Sequence, residues 1–254
     1  MRRCLVIAPF LAALAVFGLA GGEAAAHGGA RVDVELVLLA DASNSIDAAE
    51  IAFQRQGYAE AITDPSVIEA IAAGRRQRIA VAYVEWGEVG SQDLVTNWRV
   101  IDGRAAAEAF AAELLSAPRK AYGRNAIGAA LLFGKDQILT NAFKGDRRVI
   151  DFSADSANNW GGPDISTARA AVLDAEIEIN GLAVLCRACS GRPVSYDLEA
   201  AFEEQIIGGP GAFVVTADGP ESFFDAVRRK MVLEIAGDAP PERLAETRAP
   251  PASQ

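Results

Sequence analysis

The segment Val32–Asp47 has the sequence VDVELVLLADASNSID, and the order of its residue types indicates the fold. Its first part, Val32–Ala40, begins with alternating apolar and acidic side chains and ends in an apolar run, which is typical of a strand buried in a sheet. The polar residues that follow end at Asp47, which forms with Glu50 a capping-box pattern that predicts a helix to about Ile62. The order of strand, polar loop and helix is characteristic of an α/β domain.

Patterns of the same kinds continue along the chain. Strands are predicted at 78–86, 93–101, 147–154, 176–185 and 212–216. Helices are predicted at 105–115, 127–139, 165–175, 198–206 and 221–235. The strands at 78–86 and 93–101 are expected to pair across a turn at 87–90. This alternation predicts the α/β class, with a doubly wound, mostly parallel sheet that has helices on both faces.

Composition and charge exclude several classes of function. The chain has 254 residues, of which 51% are hydrophobic and 23% charged, as in ordinary globular proteins. Acidic residues outnumber basic ones by 34 to 24, and the net charge of −10 would repel a phosphate backbone, so no nucleic-acid partner is expected. His27 is the single histidine, which argues against an imidazole base or a zinc site with several histidines.

The amino-terminal segment has the order of a secretory signal. Arg2 and Arg3 precede an uncharged run at 4–22, and the small residues Ala24–Ala26 follow it. The sequence therefore predicts a signal peptide at 1–26 and a periplasmic or secreted protein without stable membrane insertion. The alternative is a membrane anchor, because the run is near the lower length limit for crossing a bilayer.

The segments after the signal divide into a domain and a tail. Residues 31–236 carry the predicted strands and helices, and residues 237–254 are rich in proline, charged and small residues, which predicts a disordered tail. Cys186 and Cys189 have a C-x-x-C spacing that suits a redox pair, half of a metal site or a structural disulfide. The oxidising compartment favours the disulfide.

The loop after the first strand carries the first candidate metal ligands. Asp41, Ser43 and Ser45 occupy alternate positions, so one carboxylate and two hydroxyls are able to point to the same side of an extended turn. Oxygen ligands of this kind suit a hard cation such as Mg²⁺, Ca²⁺ or Mn²⁺. Serine and aspartate are also common in turns and helix caps, and this segment by itself leaves both interpretations open.

The pattern D-x-S-x-S at the end of a buried strand resembles the metal-ion-dependent adhesion site (MIDAS) of von Willebrand factor A (vWA) domains, and the resemblance covers about 32–235. The family's second loop carries a threonine before an I-G-x-A-L helix, and the segment 123–131, GRNAIGAAL, places Asn125 at that position. The family's third element, an aspartate just past a central strand, matches Asp155. Asp151 is the competing candidate, although it lies within the predicted strand.

Two further segments, 147–161 and 206–215, are similar to a bacterial, exported branch of this superfamily that is known as DUF1194. The resemblance implies that Ser43, Ser45 and Asn125 bind a divalent cation directly, with Mg²⁺ as the expected ion and Ca²⁺ or Mn²⁺ as alternatives. It also implies that Asp41 and Asp155 act through water bound to the cation. A carboxylate of a protein partner would then complete the coordination.

The predicted function is therefore a binding module for an acidic group of an unidentified protein. The alternatives are a metal-independent scaffold and, less favoured, a Mg²⁺-dependent hydrolase, since the domain carries no histidine base, no D-x-D pair and no P-loop. Trp160, Asn158 and Asn159 are predicted at the rim of the site, where Trp160 is either a partner anchor or packed back over the sheet edge.

Overall fold

Strands and helices alternate along the chain in the predicted order. The computed structural model describes residues 29–185 and 195–237. The strands are β1 (Ala30–Asp41), β2 (Ile79–Trp86), β3 (Gln92–Ile101), β4 (Phe143–Ala154), β5 (Glu178–Val184) and β6 (Val214–Ala217). The helices are α1 (Ala48–Thr63), α2 (Pro65–Ala73), α3 (Arg104–Ser116), α4 (Ile127–Thr140), α5 (Ile165–Asp174), α6 (Leu198–Gln205) and α7 (Pro220–Ala236). The predicted signal peptide, both C-x-x-C cysteines and the predicted tail beyond residue 237 lie outside the described residues.

The strands form one sheet in the order β3-β2-β1-β4-β5-β6. All neighbouring pairs are parallel except β2 and β3, which pair antiparallel as the turn between them predicts. Asp41 lies opposite Trp86 of β2, and Ala40 lies opposite Ser153 of β4. The carboxyl ends of these three strands are therefore level, and the loops that follow β1 and β4 leave the same edge of the sheet side by side.

Both faces of the sheet are covered by helices, which explains the apolar run of β1. Leu36 and Leu38 pack on one face with α1, α2, α3 and α7, whereas Val37 and Leu39 pack on the other face with α4, α5 and α6. Because successive side chains of a strand point to opposite faces, a strand buried on both sides must be apolar at nearly every position. The predicted fold class is confirmed.

Two elements differ from the prediction for identifiable reasons. Helix α2 was not predicted, although Asp64 caps its amino end and Pro65 occupies its first turn. Strand β4 begins at Phe143 rather than near Arg147, because the polar residues at its start pair with the beginning of β1. In the part of the chain that the structure describes, no helix combines the length and apolar character needed to cross a bilayer.

A buried group of charges lies between the sheet and α7. The Nζ of Lys230 is 2.9 Å from Oδ1 of Asp151 on β4, and it also pairs with Glu234 one helical turn away. The amide of Asn180 on β5 donates to Oε1 of Glu234 at 3.3 Å. Burial, and then the charge of Asp151, raise the pKa of Glu234 to about 8. One ammonium group thus faces two carboxyl groups, so this arrangement favours a bound proton at neutral pH.

Candidate metal centre

Three loops meet at the carboxyl edge of the sheet. Loop 1 (residues 42–47) follows β1, loop 2 (residues 117–126) precedes α4, and loop 3 (residues 155–164) follows β4. Loops 1 and 3 emerge from adjacent parallel strands, which is the position where α/β sheets bind ligands.

Backbone hydrogen bonds join the three loops. The N–H of Asn44 donates to the carbonyl of Gly123 at 2.8 Å, and the N–H of Gly123 donates back to Oδ1 of Asn44 at 3.0 Å. The N–H of Trp160 donates to the carbonyl of Asn125 at 2.7 Å. Gly123 has a φ of +93°, and a Cβ there would collide with the side chain of Glu88, so glycine is required at this junction.

The structure brings the five sequence-predicted metal ligands together. Oδ1 of Asp41 accepts the N–H of Ser43 at 2.8 Å, and the hydroxyl oxygens of Ser43 and Ser45 are 3.0 Å apart. The amide of Asn125 donates to Oδ2 of Asp41 at 3.0 Å. The carboxyl group of Asp155 lies within reach of the side chains of Ser45 and Asp41, and these contacts oppose the rise in its pKa that burial causes. Residues from all three loops therefore share one connected network.

The surroundings of the two carboxyl groups in this network raise the pKa of both. Asp41 is buried, and burial, followed by the charge of Asp155, raises its pKa to about 7 against the opposing donors Ser43 and Asn125. Burial also raises the pKa of Asp155, and the charge of Glu50 adds to that effect. Close carboxylates in a poorly hydrated place disfavour the ionised state, and a divalent cation would relieve this repulsion.

The chemistry of the donor set fits a hard cation. It consists of two carboxyl groups, two hydroxyls and one side-chain amide, so every available ligand atom is oxygen. Within 29–185 and 195–237, no three His, Cys, Asp or Glu side chains are grouped so that they could hold a metal ion by themselves, so neutral oxygens and water would have to supply the remaining coordination. The NH₂ group of Asn125 faces Asp41, and its amide must turn over to present oxygen to a cation.

Asp155 and its competitor Asp151 occupy different environments. Asp155 lies just past the last residue of β4, partly buried beside Asp41. Asp151 is fully buried within the strand and pairs with Lys230 on the side of α7. Asp155 stays the predicted ligand, because its carboxyl group is the one at the edge of the sheet.

Arg119 supports loop 1 and was not predicted from the sequence. Its Nη1 donates to the carbonyl of Ile46 at 2.9 Å, and its Nη2 donates to the carbonyl of Ala42 at 2.7 Å. Further bonds run from Nη2 to the carbonyl of Ser43 and from Nε to the carbonyl of Ala121. One guanidinium thus holds the backbone of the D-x-S-x-S segment, but no local pattern distinguishes Arg119 from a surface arginine.

The predicted rim residues have unequal roles. The side chain of Trp160 is exposed and lies under the guanidinium of Arg124, whose central carbon is 3.9 Å from the ring centroid. Asn158 is exposed as well. The amide of Asn159 instead donates to the carbonyl of Pro163 at 2.9 Å and accepts the N–H of Gly128 at 3.4 Å. Asn159 therefore braces loop 3 against α4, whereas Trp160 and Asn158 are exposed at the rim.

Comparison with known families gives one match over most of the chain. A family model described as "Protein of unknown function (DUF1194)" matches residues 31–239. No protein in the curated set has a sequence that matches this chain significantly.

Solved structures with the same fold include surface and matrix proteins. The pilus adhesin SpaC from Lactobacillus rhamnosus GG is 10% identical with a TM-score of 0.57, over 80% of this chain and 31% of that one. Proximal thread matrix protein 1 from the mussel byssus, in a form with a zinc-occupied MIDAS motif, is 15% identical with a TM-score of 0.59, over 82% and 49%. The vWF domain of the type V pili tip protein Mfa5 from Porphyromonas gingivalis is 8% identical with a TM-score of 0.53, over 88% and 98%.

These likenesses establish the vWA fold and nothing finer. The chain spans less than half the length of the first two proteins, and all three identities are low. In the mussel protein the MIDAS motif is occupied by zinc.

Proposed function

The chain belongs to the DUF1194 family and has the vWA fold, and we propose that it is an exported binding module that captures an acidic group of a protein partner through a divalent cation. The observation that carries this proposal is the meeting of five oxygen-bearing side chains, from the end of β1 and from three loops, at the carboxyl edge of the sheet. Among the described residues at that edge, no other set combines two carboxyl groups of raised pKa with neutral oxygen donors.

Each residue of the site has a role in the proposal. The hydroxyls of Ser43 and Ser45 and the amide oxygen of Asn125 would hold the cation directly, and Asp41 and Asp155 would hold its water molecules. The cation supplies a positive centre for a carboxylate of the partner. Arg119 keeps loop 1 in the shape that the two serines need.

Export and protein binding are supported by independent observations. The order of residues at 1–26 is that of a signal peptide, and neighbours of the same fold include a pilus adhesin and a pilus tip protein. We propose binding rather than catalysis, because the described residues of the site include no histidine that could act as a general base.

A metal-independent scaffold is the second candidate, and one contact favours it. The NH₂ group of Asn125 donates to Oδ2 of Asp41 at 3.0 Å, so this carboxylate oxygen has a hydrogen-bond partner without a cation. In that case the same face would bind its partner equally well in the presence of a chelator.

The test is thermal unfolding with Mg²⁺, Ca²⁺ and Mn²⁺, each against a chelator. A cation at a hundredfold its dissociation constant stabilises a protein by about 2.7 kcal/mol, which corresponds to about 5–10 °C for a domain of this size. Asp155→Asn is expected to lose most of this shift. Asp102→Asn is the charge-matched control, because Asp102 is exposed and follows β3 at the opposite edge of the sheet.

The outcomes separate the two candidates. Equal melting temperatures with and without every cation would refute the metal site and favour the scaffold. A pull-down from periplasmic extract on the immobilised domain, with and without chelator, then tests whether capture of a partner depends on the cation.

A further inference from the structure

Arg124 is a cation whose charge no described residue neutralises. It directly precedes Asn125, its side chain is exposed, and within the described residues it forms no ion pair and no hydrogen bond. Its single described interaction is with the face of the Trp160 ring. In a chain with a net charge of −10, an unpaired arginine beside a cation site weakens cation binding and favours an anion at the same place.

The guanidinium of Arg124 donates no hydrogen bond to a described residue, so its N–H groups are available to a ligand. A guanidinium lies over an aromatic ring by its face, while its N–H groups point outward in the plane. Those N–H groups match a carboxylate in a two-point contact. Trp160 thus holds the charge of Arg124 in place while its donors remain open.

Three exposed side chains with large apolar surface lie on the loop of Arg124 or on segments that contact the loops of the site. Trp160 is 58% exposed, Tyr122 is 60% exposed and Val89 is 56% exposed. Tyr122 is tied to the turn that carries Val89, because its carbonyl accepts the N–H of Glu88 at 2.9 Å. Val89 in turn lies against Gly162 of loop 3. We call Val89, Tyr122, Arg124 and Trp160 the rim patch.

The rim patch combines anchors of two kinds beside the candidate cation. Aromatic residues and arginine are the residue types that most often dominate the free energy of protein interfaces. A partner that offered only one carboxylate would satisfy the cation and leave Arg124 unpaired in a buried interface, which is costly. The charges of the site therefore favour a partner with a second carboxylate.

We propose that the rim patch binds a second acidic residue of the partner. The partner of this module is then a protein segment with two neighbouring carboxylates and an adjacent apolar side chain. One carboxylate binds at the cation, the other pairs with Arg124, and the apolar side chain packs on Trp160 and Tyr122. This inference rests on the proposed function and narrows its partner class.

Fluorescence anisotropy with labelled peptides tests the inference on the Mg²⁺-loaded protein. The probes are capped glycine-serine peptides that carry one aspartate, or two aspartates separated by zero, one or two residues, each with one leucine. The wild type is expected to bind the best two-aspartate peptide at least threefold more tightly than the one-aspartate peptide. In Arg124→Gln this ratio is expected to fall to about one, while Mg²⁺ affinity stays equal or rises.

The control variant is Arg104→Gln, which removes an exposed arginine at the start of α3 and is expected to keep the wild-type ratio. An Arg124→Gln protein that keeps the preference, or a wild type that binds both kinds of peptide equally, would overturn the inference. If the one-aspartate peptide binds in a Mg²⁺-dependent manner without any preference for two, the inference fails and the proposed function stands. If Mg²⁺ binds but no peptide does, both fail.

Discussion

Replacing Asp41 by asparagine should separate the cost of the buried carboxylate from the benefit of a cation. The side chains have nearly the same shape, and Asn125 is able to turn its amide so that its oxygen accepts from the new NH₂ group. Asp41 is buried, and its pKa is raised from 3.8 to about 7. Its contribution to the stability of the cation-free protein is therefore fully present below pH 3.8 and is lost as the pH rises to about 7.

The size of the effect follows from the pKa. Between pH 5 and pH 8 the unfolded carboxyl group is ionised, whereas the folded one loses its proton only near pH 7. Two pH units at about 1.4 kcal/mol each give a loss of about 3 kcal/mol in the wild type. Asp41→Asn should lack this loss. Glu234 titrates in the same range, but it is present in both proteins, so the comparison cancels its effect.

Urea unfolding in a chelator at pH 5, 6, 7 and 8 measures this difference, with Asp102→Asn as control. A second series at pH 8 with saturating Mg²⁺ should stabilise the wild type by about 2.7 kcal/mol at a hundredfold the dissociation constant, and should leave Asp41→Asn unchanged. The reasoning is refuted if the two proteins have parallel pH profiles, or if the variant keeps the gain from Mg²⁺.

Three further predictions concern the surrounding structure. The raised pKa of Glu234 stabilises the wild type fully below pH 4.5, and this contribution is lost as the pH rises through about 8. Glu234→Gln should therefore lack the fall in unfolding free energy that the wild type shows between about pH 4.5 and pH 8. Urea unfolding across that range measures the difference, and a variant with the wild-type profile would contradict the prediction. Arg119→Gln should lower the unfolding free energy by about 1.5–3 kcal/mol, because the hydrogen bonds to the loop 1 carbonyls are lost. Calorimetry should also show weaker Mg²⁺ binding. An unchanged Mg²⁺ affinity would mean that loop 1 keeps its shape without Arg119. Gly128→Ala should lower the unfolding free energy by about 1–3 kcal/mol in urea unfolding, since a Cβ would lie 2.1 Å from the carbonyl oxygen of Pro163. A gain in stability would show that loop 3 moves to make room for the methyl group.

The fold and the candidate ligands could be predicted because their signals are local. The apolar run of β1 follows from burial on both faces, and the Asp47–Glu50 capping box is present at the start of α1 as predicted. The D-x-S-x-S spacing also lies within one short segment, and a strand that ends at Asp41 delivers it to the carboxyl edge of the sheet.

The features that no local pattern signals depend on contacts between residues far apart in the chain. Arg119 reaches loop 1 from the start of the α3–α4 connection, and Lys230 of α7 meets Asp151 of β4 inside the protein. The polar start of β4 becomes a strand because the start of β1 lies beside it. Local patterns of the sequence predict the layers of the fold and the candidate oxygen donors of the site. The orientation of the Asn125 amide, the raised pKa values and the open edge of Arg124 came from the structure, because each depends on distance, burial and charge through space.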